Sequence, residues 1–270
     1  MNEIGAKKEL VRERFTAASQ RYVSDRILAA GEELERMVAL ARLSGGERVL
    51  DLATGGGHTA LAFAPLADHV VVSDLTPAML AAARAHLVRT GVRNASYEIA
   101  DAEALPFAGL AFDVVTARFA PHHFPLPQRF LAESFRVLRP GGRLVVFDNM
   151  APEDPALDEF LHTLESWRDP GHFRAHRLSV WLAWCEEAGF TVEAVDPLSF
   201  KTYEFAEWTA RMAMPETERE ALQLWLLGAP ATARQYFALE TRDGRVVRLK
   251  ATFGAFAARK PEEPFVPFHR

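Results

Sequence analysis

Cysteine is nearly absent from this 270-residue chain: Cys185 stands alone, which excludes an intramolecular disulfide and a zinc site built from cysteines. Its neighbourhood, Trp181-Leu-Ala-Trp-Cys-Glu186, reads as a helix carrying a core thiol. Long apolar runs are missing as well. No stretch approaches the ~18 residues of a membrane-spanning helix, and the first residues, Met1-Asn-Glu-Ile-Gly-Ala-Lys-Lys-Glu9, hold no apolar run of signal-peptide length. A cytoplasmic protein with no membrane span is therefore expected. Nor is there a basic cluster. The 31 Lys and Arg are outnumbered by 36 Asp and Glu, for a net charge of -5, and the arginines are interleaved with acids as on solvated helix faces. That balance argues against a nucleic-acid partner, whose phosphates need clustered cations. Repeats and low-complexity segments are also lacking.

What is present is an ordinary globular composition, 49% apolar and 25% charged, on a chain long enough for one large α/β domain or one domain with an insertion. Its organising stretch is Arg48-Val-Leu-Asp-Leu-Ala-Thr-Gly-Gly-Gly-His-Thr-Ala60. Val49 to Ala53 reads as a short buried strand, Gly55 to Gly57 as a tight turn, and Thr59 to Phe63 as the start of a helix. Glycine lets a backbone approach a ligand closely, and a helix start offers unpaired N–H groups. Gly55-x-Gly57-x-x-Ala60 satisfies the dinucleotide fingerprint, with Asp74 at about the required ~20-residue spacing. Two nucleotide-like ligands fit it. Asp51 discriminates between them: a carboxylate at the strand end would repel a pyrophosphate but favour an ammonium and a sulfonium. The charge argument prefers S-adenosyl-L-methionine over NAD.

Ahead of this stretch, residues 7–42 carry a helical pattern in Leu10, Phe15, Tyr22, Ile27, Leu34, Met37, Val38 and Leu40, with Gly31 separating two helices. Phe15 and Tyr22 can pack into the core or fold over the ligand, and core packing is the expectation. Downstream, His69 to Asp74 is a second strand ending in a carboxylate suited to ribose hydroxyls. Thr76-Pro77 opens a helix, with Met79, Leu80, Ala83 and Leu87 on its apolar face and Gly91 closing it. Tyr97 to Asp101 reads as a third strand, followed by Ala102-Glu103, and Phe112 to Arg118 as a fourth. Pro127 to Leu138 reads as a helix, Arg139-Pro-Gly-Gly-Arg143 as a sharp turn, and Leu144 to Asp148 as a fifth strand. Strands alternating with helices imply a parallel, right-handed, doubly wound sheet. Its ligands should gather at the strand ends, where Asp51, Asp74, Asp101 and His122-His123 converge.

The series Val-Leu-Asp-Leu-Ala-Thr-Gly-Gly-Gly-His58, Ser-Asp-Leu-Thr-Pro-Ala-Met-Leu80, Ala-Asp-Ala-Glu-Ala-Leu-Pro-Phe107, Phe-Asp-Val-Val115, His-His-Phe124 and Val-Leu-Arg-Pro-Gly-Gly-Arg-Leu144 resembles the class I S-adenosylmethionine-dependent methyltransferases. Within that family it is most like the branch holding the ubiquinone/menaquinone C-methyltransferases and related small-molecule enzymes. The resemblance covers about residues 45–150. It implies a Rossmann-like, doubly wound, mostly parallel seven-stranded sheet with an antiparallel last strand, and methyl transfer that leaves S-adenosyl-L-homocysteine as product. By the same resemblance Asp51, Ala53, Gly55 and Gly57 hold the methionine moiety, and Asp74 the ribose. Leu75 and Met79 pack on the adenine, Asp101 and Ala102 meet its amino edge, and Arg118 lies beside the cofactor. His58, Thr59 and Glu103 complete the cofactor-binding set. Ala53 replaces the usual first glycine, a departure that is tolerable if its φ stays negative.

Residues 151–270 are expected to complete the sheet and cover the acceptor, after an N-terminal helical cap (1–43) and a cofactor-binding core (44–150). Helices are expected over Ala156–Trp167 and Leu178–Ala188, a sixth strand over Phe190–Val195, and a helical insertion over about Phe205–Phe237 with Trp208, Met212, Met214, Leu222 and Trp225. Thr241-Arg-Asp-Gly-Arg245 signals a hairpin into a last strand, Val246–Ala257, and the tail Lys260–Pro264 is expected to be mobile. The acceptor should be a small, apolar or aromatic molecule methylated on O, N or C. His122 and His123 are the catalytic base candidates, since imidazole titrates near neutrality and the pair follows the fourth strand. His58, His172 and His176 are weaker candidates; Phe173, Arg174 and Arg177 could hold an acceptor carboxylate. No metal site is expected, and a monomer or homodimer is. A non-methylating use of the cofactor, such as a cyclisation, and an NAD-dependent oxidoreductase are the alternatives.

Overall fold

Strand alternation sets the architecture. In the computed structural model, which describes residues 3–24, 29 and 31–262, the strands are β1 (Arg48–Leu52), β2 (His69–Asp74), β3 (Ala95–Ile99), β4 (Phe112–Arg118), β5 (Leu138–Ala151), β6 (His176–Arg177), β7 (Thr191–Glu204), β8 (Glu240–Arg242) and β9 (Arg245–Arg259). Seven of them form one continuous sheet in the order β3-β2-β1-β4-β5-β9-β7. The first five run parallel, and β9 inserts antiparallel to both β5 and β7. β6 adds two residues beside β5, and β8 forms a hairpin with β9.

Successive side chains along these strands go to opposite faces. Val49, Val70, Val72, Val114, Val145 and Phe147 face one core, which is closed by Met37, Phe63, Leu80 and Leu87. Leu50, Leu52, Val71, Val115, Leu144 and Val146 face the other, closed by Phe130, Leu131, Trp181 and Cys185. The helices supplying these closures are α2 (Glu32–Ala41), α3 (His58–Phe63), α4 (Pro77–Arg89), α5 (Pro127–Val137) and α7 (Leu178–Glu187); α1 (Glu3–Ser24) and α6 (Pro155–Arg168) lie outside these two cores. The insertion folds as α8 (Phe205–Arg211), α9 (Glu216–Leu227) and α10 (Ala231–Tyr236). Two-sided burial is what a parallel sheet requires.

The expected elements are all found, with shifts that have local causes. β2 and β4 keep their expected bounds. β3 starts and ends two residues early, and Asp101 lies beyond it in a bridge with Ala104. β5 absorbs the turn expected at Arg139–Arg143: Gly141 sits at φ +81, and the register with β4 jumps from Phe112–Leu138 to Val114–Arg143. β7 runs on to Glu204, well past Val195, through a register shift that brackets Pro197, a residue with no N–H for the ladder. Asp243 and Gly244, both at positive φ, make the expected hairpin turn. Gly31 is the N-cap residue of α2, and Ile27 lies outside the described residues. The tail begins anchored rather than mobile, because Lys260 Nζ donates to Phe135 O and Leu138 O at 2.7 and 2.8 Å; Pro264 lies outside the described residues. No helix among the described residues is long and apolar enough to cross a membrane.

Candidate active site

The C-terminal ends of β1, β2 and β4 surround a cleft whose empty space, open solvent included, is about 930 Å³. Of the expected cofactor residues, Ala53, Gly55, His58, Thr59, Asp74, Leu75, Met79, Asp101, Ala102, Glu103 and Arg118 line it. Asp51 and Gly57 do not. Gly57 instead closes the turn beneath, at φ +81, donating its N–H to Thr54 O.

Asp51 is fully buried under the floor. Its carboxylate accepts the hydroxyls of Thr54 (2.6 Å) and Thr116 (2.9 Å), tying β1, the glycine turn and β4 together. Burial pushes this group up to about 6 against the pull of those hydroxyls and of Arg118. Asp51, expected at the ligand, thus lies under the cavity floor and outside its lining. Asp74 does face the cavity. Its two oxygens accept the N–H groups of Gly55 (3.1 Å) and Thr76 (2.9 Å), and burial raises it likewise to about 6. Ala53 is a second correction: its φ is +50, in the left-handed region where a Cβ is strained, so the missing glycine has a conformational cost.

Helix α1 is the main feature that sequence patterning misassigned. Phe15 and Tyr22 line the cavity instead of packing in the core, together with Lys8 and Val11. Lys8 Nζ ion-pairs with Asp101 (2.6 Å) and Glu103 (2.5 Å), and His58 Nε2 donates to Tyr22 O at 3.0 Å. The close approach explains Gly56, where a Cβ would meet Tyr22 O at 2.6 Å. Arg118 is buried, donates to Thr59 Oγ1 at 3.1 Å and pairs with Glu33, which also takes Lys201.

A second cavity of about 660 Å³ adjoins the first, and Tyr22, Phe119 and His123 line both. Its walls include Phe253, Tyr203 and Trp208, with Glu165, Arg168, Asp169 and Arg211 at the polar positions. From the insertion, Trp208 and Met212 reach it, whereas Leu222 and Leu226 pack into a core with Leu164, Phe205 and Leu249. Arg174 and Arg177 line neither cavity and instead face Asp158 at 2.9 and 3.8 Å; Phe173 lines neither.

Both histidine candidates are at this junction. His123 lines both cavities, and its Nδ1 donates to Gly171 O at 2.9 Å. Burial, then the neighbouring His122, lower it to about 4, so it is neutral at physiological pH. His122 lines the second cavity and donates Nδ1–H to Asp148 at 2.7 Å. Burial opposes its charging, but the Asp148 carboxylate outweighs that and raises it above the ordinary 6.5. His172 is buried behind them and held well below its ordinary value by burial, and His176 packs against Trp181 and Trp184 outside both cavities. Among the described residues no group of three or more His, Cys, Asp and Glu side chains could hold a metal ion. Asp148, which holds His122, is the neighbour of the site the sequence could have yielded, since it too stands near the end of a parallel strand. Lys8, Glu33 and Tyr203 arrive from elements whose docking no local pattern encodes.

The lining of the first cavity fits S-adenosyl-L-methionine. The Asp74 carboxylate suits hydroxyl donors and would repel a pyrophosphate, Asp101 and Glu103, which hold Lys8, can also accept from an amino group, and Leu75, Met79 and Ala102 offer an apolar wall for a purine.

Comparison with known proteins agrees. Residues 50–146 match a family model described as a methyltransferase domain. YcgJ of Bacillus subtilis, named an uncharacterized methyltransferase, is 33% identical over 83% of this chain and 88% of its own. Its crystal structure superposes with a TM-score of 0.83, over 86% of this chain and 99% of that one. The demethylmenaquinone methyltransferase of Thermus thermophilus is 43% identical over 51% of this chain and 65% of its own, so the chain spans just under two thirds of that relative. With a cofactor cavity of matching chemistry on the matching fold, the chain belongs to the methyltransferase-domain family and is a class I S-adenosylmethionine-dependent methyltransferase.

Proposed function

We propose that this enzyme moves a methyl group to O, N or C of a small, aromatic or largely apolar metabolite seated in the second cavity, acting in the cytoplasm as a monomer or homodimer. The observation that carries the reading is the junction itself: two cavities share Tyr22, Phe119 and His123, so a donor in one and an acceptor in the other would meet there. When bound, S-adenosyl-L-methionine supplies an activated sulfonium methyl, so the protein's task is alignment and, for some acceptors, proton removal. Asp74 would hold the ribose, Asp101, Ala102 and Glu103 the adenine edge, Leu75 and Met79 its faces, and the Ala53–Thr59 turn the methionine end. Asp51 would act beneath them by fixing Thr54. His122 or His123 would take the proton.

Residues 1–43 would then cap the cofactor, 44–150 bind it, and 151–270 complete the sheet and enclose the acceptor, with 205–237 roofing it in part. The name of the Thermus relative, a demethylmenaquinone methyltransferase, supports a quinoid or prenylated aromatic as one acceptor class. Calorimetry with S-adenosylmethionine, S-adenosylhomocysteine and NAD, repeated on Asp74→Ala, tests the cofactor half. Binding of the sulfur ligands that the substitution weakens supports the reading, and binding of NAD alone, or of none, ends it.

A further inference from the structure

We propose that Asp148 positions His122 as the base of the transfer, and that the acceptor is therefore an acid at its nucleophilic atom: a phenol, an enol or a 1,3-dicarbonyl carbon acid, rather than an amine. This rests on the reading that the second cavity receives the acceptor.

Asp148 lies near the end of β5 with its carboxylate buried. One oxygen accepts the backbone N–H of His122 and the other accepts its ring Nδ1–H, each at 2.7 Å. The first contact fixes the turn after β4, and the second fixes the ring and its tautomer. A carboxylate accepts, so Nδ1 carries the proton and Nε2 of the neutral ring keeps its lone pair. Among the described residues Nε2 makes no hydrogen bond, and the residue lines the second cavity.

His123 differs on every point. Its Nδ1 partner is a neutral carbonyl, its nearest carboxylate is Asp169 at 4.0 Å, and its ring is packed edge-on against Phe15. A proton arriving on His123 faces Asp169 only at the 4.0 Å ion-pair limit and without a hydrogen bond, whereas one arriving on His122 forms an imidazolium hydrogen-bonded to Asp148 at 2.7 Å. The other groups facing His122 are Glu165 and Asp169 at the end of α6, and the rings of His123 (4.0 Å) and His172 (5.5 Å). The two acids reinforce Asp148.

The acceptor class follows from what a base is needed for. A neutral amine already presents a free electron pair. A hydroxyl or an acidic C–H gains nucleophilicity by losing its proton, and a base held beside the reacting atom makes that loss easier. Phe119, Tyr203, Trp208 and Phe253 give the second cavity the flat apolar walls a planar conjugated acid would stack on. The step balances. The acceptor's O–H or C–H proton passes to His122 Nε2, and the pair left on O or C bonds the methyl carbon. The methyl–sulfur bond breaks with its pair staying on sulfur, which becomes a neutral thioether.

The test uses the full chain with S-adenosylmethionine. Methyl transfer is followed from pH 5 to 9 for substituted phenols of graded acidity and cyclic 1,3-diketones, with substituted anilines as the contrast. Wild type is compared with Asp148→Asn, His122→Gln and His123→Gln, and S-adenosylhomocysteine affinity is measured on each. The expected result is turnover of the acids, not the anilines. Asp148→Asn and His122→Gln should lose about 100-fold or more in kcat, with KM and S-adenosylhomocysteine affinity within about threefold. His123→Gln should keep the acidic limb of the pH profile that both other variants lose. Nitrogen-detected NMR of the histidine rings in wild type gives a readout free of turnover and of any variant's folding. It should place the His122 proton on Nδ1 and the titration above 6.5. Turnover of anilines alone, no turnover of any probe by a protein that binds the cofactor, or a His122 proton on Nε2 would overturn the proposal. Failure to bind the cofactor at all would remove the underlying functional reading instead.

Discussion

Substituting Asp74 by Asn should leave the protein about as stable as wild type at pH 8 while cutting its affinity for S-adenosylhomocysteine by about 30- to 100-fold. The stability side balances two effects. Asn presents an NH2 to one of the two backbone donors, Gly55 N or Thr76 N, that Asp74 now satisfies; an orphaned buried N–H costs about 1–3 kcal/mol. Against this, the wild-type carboxylate is raised by burial from 3.8 to about 6, a gap of about two pH units worth about 3 kcal/mol at 1.36 kcal/mol each. The sign is definite. Between those two pH values the folded protein binds a proton that the unfolded chain does not, so this group's contribution to stability falls as pH rises from about 4 to about 6, then levels. Removing the charge returns roughly that amount at pH 8 and nothing at pH 4. The affinity side is one-directional: ribose hydroxyls donating to an ionised carboxylate contribute about 1.5–3 kcal/mol each. Wild-type affinity should therefore fall by up to tenfold per pH unit below about 6, and in Asp74→Asn this dependence should disappear. Urea unfolding at pH 4, 6 and 8 and calorimetry with S-adenosylhomocysteine over the same range measure both. A variant binding within threefold of wild type, or wild-type affinity flat from pH 5 to 8, refutes the assignment of Asp74 to the ribose.

Asp51→Ala should destabilise the fold by about 2–4 kcal/mol in urea unfolding at pH 4, because it strands the Thr54 and Thr116 hydroxyls in a buried site, and by less at pH 8, where losing a carboxyl that burial raises to about 6 returns part of that. Ala53→Gly should raise stability by about 0.5–1 kcal/mol: relief of a left-handed φ of +50 is worth about 1–2 kcal/mol, less the ~0.5–1 kcal/mol of added chain entropy. A loss on this substitution would show that the alanine methyl packs productively. Lys8→Gln should speed amide exchange across α1 with little change in global unfolding, since it removes the ion pairs to Asp101 and Glu103 that hold this helix over the cavity, read by hydrogen–deuterium exchange. Cys185, buried and pushed up to about 12 by that burial, should resist a disulfide-exchange reagent at pH 8 until the protein is unfolded. Fast labelling of the native protein would show that α7 opens.

Much of the fold was legible because its signals are local. Strand alternation and the carboxylates ending β1 and β2 placed the sheet, and Thr76-Pro77 and Asp243-Gly244 marked a helix start and a hairpin without help from distant residues. The glycine run placed the cofactor cavity, and most residues assigned to it line it. Residues whose role depends on docking were not legible. Phe15 and Tyr22 carry the same helical spacing whether they meet a core or a ligand, and only the seating of α1 on the strand ends chooses. Asp51 was placed correctly on its strand, but whether its carboxylate looks into the cavity or under it turns on Thr116, a residue 65 positions away. The left-handed backbone at Ala53 came from closure of the turn, which overrides a residue's own preference. Adjacent histidines are equivalent by sequence. They part only because Asp148 from a neighbouring strand reaches one of them, while the backbone of Gly171 reaches the other. The sequence by itself thus determined the sheet, the turn and the class of cofactor, whose causes lie within a few residues of one another. Tertiary structure alone decided which side chains face the ligands and in what protonation state, because burial and charge pairing are set by groups that meet only when the chain is folded.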